Sequence, residues 1–100
     1  MLHTVNKSPF ERTNLKSCLR LAGKGDAIML IEDAVYAAVQ GTAVADTMAG
    51  AKDDFQVYVM GPDLDARGIS RDSVIDGINV VGYDGFVDLV VEHETSQAWL

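Results

Sequence analysis

The run Ala27-Ile28-Met29-Leu30-Ile31 is apolar at every position, a pattern that suits a strand only when both of its faces are covered. Such a strand belongs in the middle of a parallel sheet with helices on either side. Three further segments read as strands: Leu2 to Val5, Phe55 to Met60 and Ile78 to Val81, the last two each followed by a glycine-containing turn. Helical patterns lie between them, so the alternation predicts an α/β fold, a three-layer α/β/α sandwich around a mainly parallel sheet of four or five strands. With 100 residues, the chain is expected to form one domain spanning 1–100, because two would each bury too little surface.

The first helix has two possible starts. Ser8-Pro9-Phe10-Glu11 has capping-box spacing with proline at the first helical position, whereas Thr13 or Asn14 could cap a later start. In either case Leu15 to Ala22 is helical and Gly23 ends it. Asp33 to Gln40 reads as the second helix, with Gly41 placed to end it in the left-handed region. Alanines in Thr42 to Asp54 permit another helix, but Gly50 and Lys52-Asp53-Asp54 point to a mobile connection. Gly61-Pro62-Asp63 opens a short helical turn ending near Gly68, and Ser70 to Asp76 could form another. Asp84 is the expected cap of a last helix whose Phe86, Leu89, Val90 and His93 share one face.

A net charge of -7 opposes direct contact with nucleic acid, whose phosphates repel the same carboxylates. The apolar stretches 27–31 and 35–39 are too short to span a bilayer, and Met1 to Ser8 carries no leader pattern, so a soluble cytoplasmic protein without membrane contact is expected. At 48% hydrophobic residues with two prolines, the chain is richer in apolar groups than a small monomer needs. Oligomerisation follows as the leading expectation. No phosphate-binding glycine loop follows a strand, so no nucleotide or other cofactor is implied. A phosphoacceptor domain would need an acidic end to its third strand and a late lysine, but Met60-Gly61-Pro62 and Gly82-Tyr83-Asp84 stand there and no lysine follows Lys52.

Cys18 is the only cysteine, which excludes an intramolecular disulfide and fits a reducing compartment. On a helical wheel Leu15, Cys18, Leu19, Leu21 and Ala22 share an arc, and Arg12, Lys16, Arg20 and Lys24 line the opposite side. The cations therefore face away from the sulfur and cannot favour its thiolate. A buried packing role is the plain reading and a persulfide-carrying thiol is the functional one. His3 and His93 have no companion at metal-ligand spacing, so no metal site is expected. His3 reads as a hydrogen-bonded structural side chain, and His93 as a partner of its helix's carbonyl end. Glu32 and Asp33 stand at the carboxyl end of the second strand, where open α/β sheets place ligands, or one of them caps the helix that follows.

The opening Leu2-His3-Thr4-Val5-Asn6-Lys7-Ser8-Pro9-Phe10 resembles the start of the DsrH/TusB family. The resemblance runs on through Gly25-Asp26, Ile31-Glu32-Asp33, Tyr36-Ala37-Ala38, Val57-Tyr58, Asp63-Leu64, Ala66-Arg67-Gly68, Tyr83 to Val87 and Gln97-Ala98-Trp99. It implies a DsrEFH-like fold and a subunit of a cytoplasmic heterohexameric sulfurtransferase complex with DsrE-like and DsrF-like chains. The main persulfide cysteine would belong to a partner, and DsrC-like and TusA-like carriers would exchange sulfur with the complex. Cys18 in Ser17-Cys18-Leu19, the fuller opening and the final Ala-Trp-Leu resemble the DsrH branch. That branch implies dissimilatory sulfur oxidation with delivery towards DsrC, and Cys18 as at most an auxiliary persulfide carrier. The TusB branch, which serves 2-thiouridine formation in tRNA, is the alternative. Trp99 and Leu100 are expected to pack against the protein or a partner, because burying a large side chain is worth about 1.5 to 3 kcal/mol.

Overall fold

In a computed structural model that describes residues 1–100, the apolar run becomes β2 (Ala27–Leu30), with all four residues buried. It lies at the centre of a five-stranded sheet beside β1 (Leu2–Val5) and β3 (Gln56–Met60). The edges are β4 (Asn79–Val81) and β5 (Ser96–Trp99), giving the order β4-β3-β2-β1-β5 with every pairing parallel. The chain thus steps outward from β1 to β4 and then crosses back to the far side of β1.

That reversal decides which helix covers which face. Crossovers of one hand place the connections among β1 to β4 on one side of the sheet and the last connection on the other. Leu15 and Cys18 of α1 (Asn14–Leu21), Met48 of α2 (Ala45–Asp54) and Leu64 of α3 (Gly61–Ala66) join Val5, Ile28, Leu30, Val57 and Val59 in the larger core. Only α4 (Tyr83–Glu92) covers the opposite face, where Leu89 meets Leu2, Ala27, Met29 and Met60. One side of the sandwich is thick and the other thin.

The local structure departs from expectation at definite places. Residues Asp33 to Gln40 do not form an α-helix; Glu32–Ala38 is a 3-10 helix, the tighter form usually found in short pieces. Ala34, Val35, Ala37 and Ala38 are all fully buried, and Val39 then bridges Val74, so packing and that bridge hold the segment narrow. Residues 42–54 are not a loose connection, since α2 runs through Gly50 and the acidic end, with Met48 and Ala51 turned inward. Asp84 is not the cap of α4: Gly82 holds that position and Asp84 lies in the first turn. Val90 is not on the core face, being half exposed, and Leu21 leaves the Cys18 arc with 67% of its surface in solvent. The first helix takes the later of its two starts. Thr13 occupies the cap position, and Ser8 Oγ accepts the Phe10 N–H in a separate turn.

β5 carries almost no hydrophobic signal because three of its four side chains are exposed. Its Trp99 packs on the larger core as expected, and Leu100 is 79% exposed in the chain by itself.

Candidate functional site

The sheet order directs attention to one crevice. The connections after β3 and β4 leave towards opposite faces, and ligands of open α/β sheets bind at the carboxyl ends of such strands. Here those ends read Gly61-Pro62-Asp63 and Gly82-Tyr83, with no thiol, hydroxyl nucleophile or histidine among them except the Tyr83 phenol. The crevice is also filled. A Cβ added at Gly61 would stand 2.7 Å from Arg71 Nη2 and 3.1 Å from Val80, and the Arg71 guanidinium is held by Asp65 Oδ2 at 2.9 Å.

Glu32 and Asp33 border this region, but neither caps the helical turn that follows β2; Ile31 is the cap residue and no side chain caps it. Instead the Glu32 backbone N–H donates to Asp63 Oδ2 at 2.7 Å, and Asp33 pairs with Arg67 at 2.9 Å. Arg67 also donates to the Asp63 carbonyl. These bonds tie the loop after β2 to the start of α3. Glu32 adopts φ 49°, a left-handed conformation that costs a side-chain-bearing residue about 1 to 2 kcal/mol.

Cys18 is on the other side of β2 from that crevice in sequence and structure, projecting from α1 into the larger core with no exposed surface. Burial, and secondarily the negative charge of Asp26, pushes its thiol from the ordinary 9.0 up to about 12. The thiolate that attacks sulfur is therefore suppressed in this fold. A cleft of about 180 Å³ opens between α1 and the start of α2, lined by Pro9, Arg12, Leu15, Lys16, Val44 and Thr47 among others, and Cys18 does not line it.

His3 is buried and structural. An indole N–H can only donate, so the 3.1 Å contact from Trp99 Nε1 makes His3 Nδ1 an acceptor. Nε2 then carries the proton and donates to Asp26 Oδ2 at 2.8 Å. Asp26 also accepts the Gly23 N–H at 2.8 Å and contacts the Met1 amino group at 3.1 Å. The His3 bond first, with those two behind it, lowers the Asp26 carboxyl from 3.8 to about 2. Sequence reasoning missed Asp26 and the His3–Trp99 link, which joins residues 96 positions apart. Only the polar pair of one donor and one acceptor at opposite chain ends hinted at it. His93 contacts the Leu89 carbonyl through Nδ1 at 2.8 Å, as expected of a side chain at its helix's end.

The surface offers what the interior does not. Tyr83, Val87, Val90 and Val91 of α4 are all exposed, although a helix of a small domain usually keeps its valines on the covered side. No helix is long and apolar enough to cross a membrane.

Comparison with known proteins places the chain in a family. The family profile described as "DsrH like protein" matches residues 7–96. Protein TusB of Enterobacter sp. (strain 638) is 36% identical over 99 residues, covering 99% of this chain and all of the relative. Protein TusB of Erwinia tasmaniensis is 38% identical over the same span. Among solved structures, the ychN protein of E. coli superposes with a TM-score of 0.81 at 21% identity, covering 97% of each chain. MTH1491 of Methanobacterium thermoautotrophicum, described as of unknown function, reaches 0.75 at 15% identity over 97% of this chain and 95% of its own. Both structures share the fold. With relatives above one-third identity matched from end to end, the chain belongs to the DsrH/TusB family.

Proposed function

We propose that this chain is a TusB-type subunit of a sulfur relay that serves 2-thiouridine formation at the tRNA wobble position, and that it works beside related chains which carry the persulfide. The observation that carries this reading is the full-length similarity to proteins named TusB, at 36 to 38% identity. Cys18 and the two chain ends resemble the sulfur-oxidation branch. The named relatives favour the other branch. Cys18 has a packing role that needs no pathway to explain it, so its presence loses weight as a marker.

The buried thiol and the filled crevice support a supporting role in the complex rather than that of principal sulfur carrier. In this reading Cys18 carries no sulfur in normal turnover, and the chain contributes surfaces that hold the relay together. The test is deletion of the gene in its host, followed by mass spectrometry of tRNA nucleosides. Loss of 2-thiouridine, restored by the wild-type chain and equally by Cys18→Ala, is the expected result. Unchanged 2-thiouridine would remove the tRNA assignment, and failure of the alanine variant alone would make Cys18 a working carrier.

A further inference from the structure

We infer that the outer face of α4 docks a different chain, one that presents an apolar strip flanked by lysine or arginine at one-turn spacing. The inference rests on the proposed function only in taking related relay chains as the partners to try. Three arcs divide this helix. Phe86 and Leu89 turn towards the sheet, in the smaller core. Tyr83, Val87, Val90 and Val91 form a second apolar arc, 63%, 58%, 47% and 78% exposed. Asp84, Asp88 and Glu92 follow at four-residue intervals on the third, and α4 contains no lysine or arginine. None of these acids has an ion-pair partner in the chain.

The exposed side chains amount to roughly 400 Å², within the range of about 300 to 600 Å² for the largest apolar patch of a monomer, which is often a functional one. A standard interface takes about 800 Å² from each partner. The valines and Tyr83 thus fit the dry centre of such an interface, and the acidic row fits its rim.

Charge selects the occupant. A second copy packed α4 against α4 about a two-fold axis would set Asp84, Asp88 and Glu92 near their own counterparts, on molecules already carrying -7 each. A head-to-tail copy could offer the row Arg12, Lys16 and Arg20, also four residues apart and also unpaired. At the two ends of that row only Phe10 and Leu21 are exposed as large apolar groups, which would leave most of the four-residue arc uncovered. The row on α1 shows that this fold can present cations at the required spacing. The occupant needs both that spacing and an apolar strip, which points to another chain.

The test titrates the full chain with purified DsrE-like and DsrF-like chains of its own relay, by calorimetry and sedimentation, at about 50 and 500 mM NaCl. Val87→Asp combined with Val91→Asp should weaken association about a hundredfold or more. Because both sites are exposed, the melting temperature of the isolated chain should stay close to that of wild type. Asp88→Asn with Glu92→Asn removes charge without placing any in the apolar arc. It should weaken binding about tenfold and remove most of its salt dependence. Lys16→Gln with Leu21→Ser, on the opposite face, should bind as wild type does. If the complex forms and both α4 variants match wild type, the surface assignment fails and the proposed function stands. If wild type binds neither chain, the proposed function fails and takes the partner assignment with it. A self-association dispersed by the aspartate pair would also overturn the inference, making the occupant a copy.

Discussion

Replacing Cys18 tests whether a thiol can be present yet chemically silent. In the folded chain burial first, and Asp26 second, raises it from 9.0 to about 12. At pH 7.5 its thiolate is then about a thousandfold scarcer than that of a free cysteine, and alkylation consumes thiolate. Iodoacetamide should therefore label the native chain at least about a thousandfold more slowly than the same chain in guanidinium, as followed by intact mass. The same shift makes an alkaline prediction. The unfolded thiol loses its proton near pH 9 and the folded one only near 12, so above pH 9 the unfolded state binds fewer protons. The thiol's contribution is full below pH 9 and declines by about 1.4 kcal/mol per pH unit as pH rises towards 12. Cys18→Ala abolishes that dependence but costs about 1 to 2 kcal/mol at neutral pH, through lost contacts and a small cavity. Urea unfolding of both proteins should show wild type ahead at pH 7.5 and the two equal near pH 10. Every other group is common to both proteins, so the difference isolates the thiol. Parallel stability curves, together with native labelling within tenfold of the denatured rate, would refute the sealed-thiol argument.

Other substitutions probe the framework around that thiol. Asp26→Asn should cost about 1 to 2 kcal/mol by weakening the bonds from His3 and Gly23. Because the Asp26 carboxyl is lowered to about 2, its stabilisation is present above pH 4 and lost as pH falls towards 2, so the variant should show a flatter acid limb in denaturant titrations. Trp99→Phe keeps the ring but removes the donor to His3 Nδ1, and should cost about 1 kcal/mol by thermal unfolding. Gly85→Ala would set a methyl 2.9 Å from Val81 Cβ. That atom is fixed to the backbone of β4, so α4 must move, and a loss of about 1 to 3 kcal/mol is expected despite alanine's better helix propensity. Glu32→Gly should stabilise by about 0.5 kcal/mol, the left-handed strain relieved less the added freedom of the unfolded chain. Destabilisation on that substitution would mean the Glu32 side chain contributes more than its backbone costs.

The sheet was legible where burial writes itself into composition and illegible where it does not. Ala27 to Ile31 could be placed between covered faces because a strand buried on both sides has no polar position to spare. Ser96 to Trp99 has the same parallel hydrogen bonding to β1, but only Trp99 is covered, so the backbone pairs without leaving a side-chain pattern. The helix expected over 33–40 failed for a related reason. Alanine or valine at five of the eight positions states that the segment is buried, but not that Val39 will be drawn into a bridge with Val74. Long-range pairing set its form, and local propensity does not carry that information.

The candidate site divides along the same line. Cys18 could be read correctly as turned from the cations, because one helix contains both and its period fixes their relation. Asp26 could not, because its role depends on His3 and, through it, Trp99, which meet only when β5 lies beside β1. The α4 face lies between these cases. Its place four residues from Phe86 and next to Leu89 puts Val90 on the core face, which is sound if the helix has one apolar side. It has two: the 340° to 80° arc from Val90 through Tyr83 and Val87 to Val91, measured from Tyr83 at about 100° per residue, is as apolar as the arc facing the sheet. A thin core beneath α4, with one helix over a whole face of five strands, cannot cover both arcs. The second arc therefore stays exposed in the chain alone, and the proposed docking on α4 and the proposed packing role of Cys18 both follow from how this thin layer divides buried from open surface.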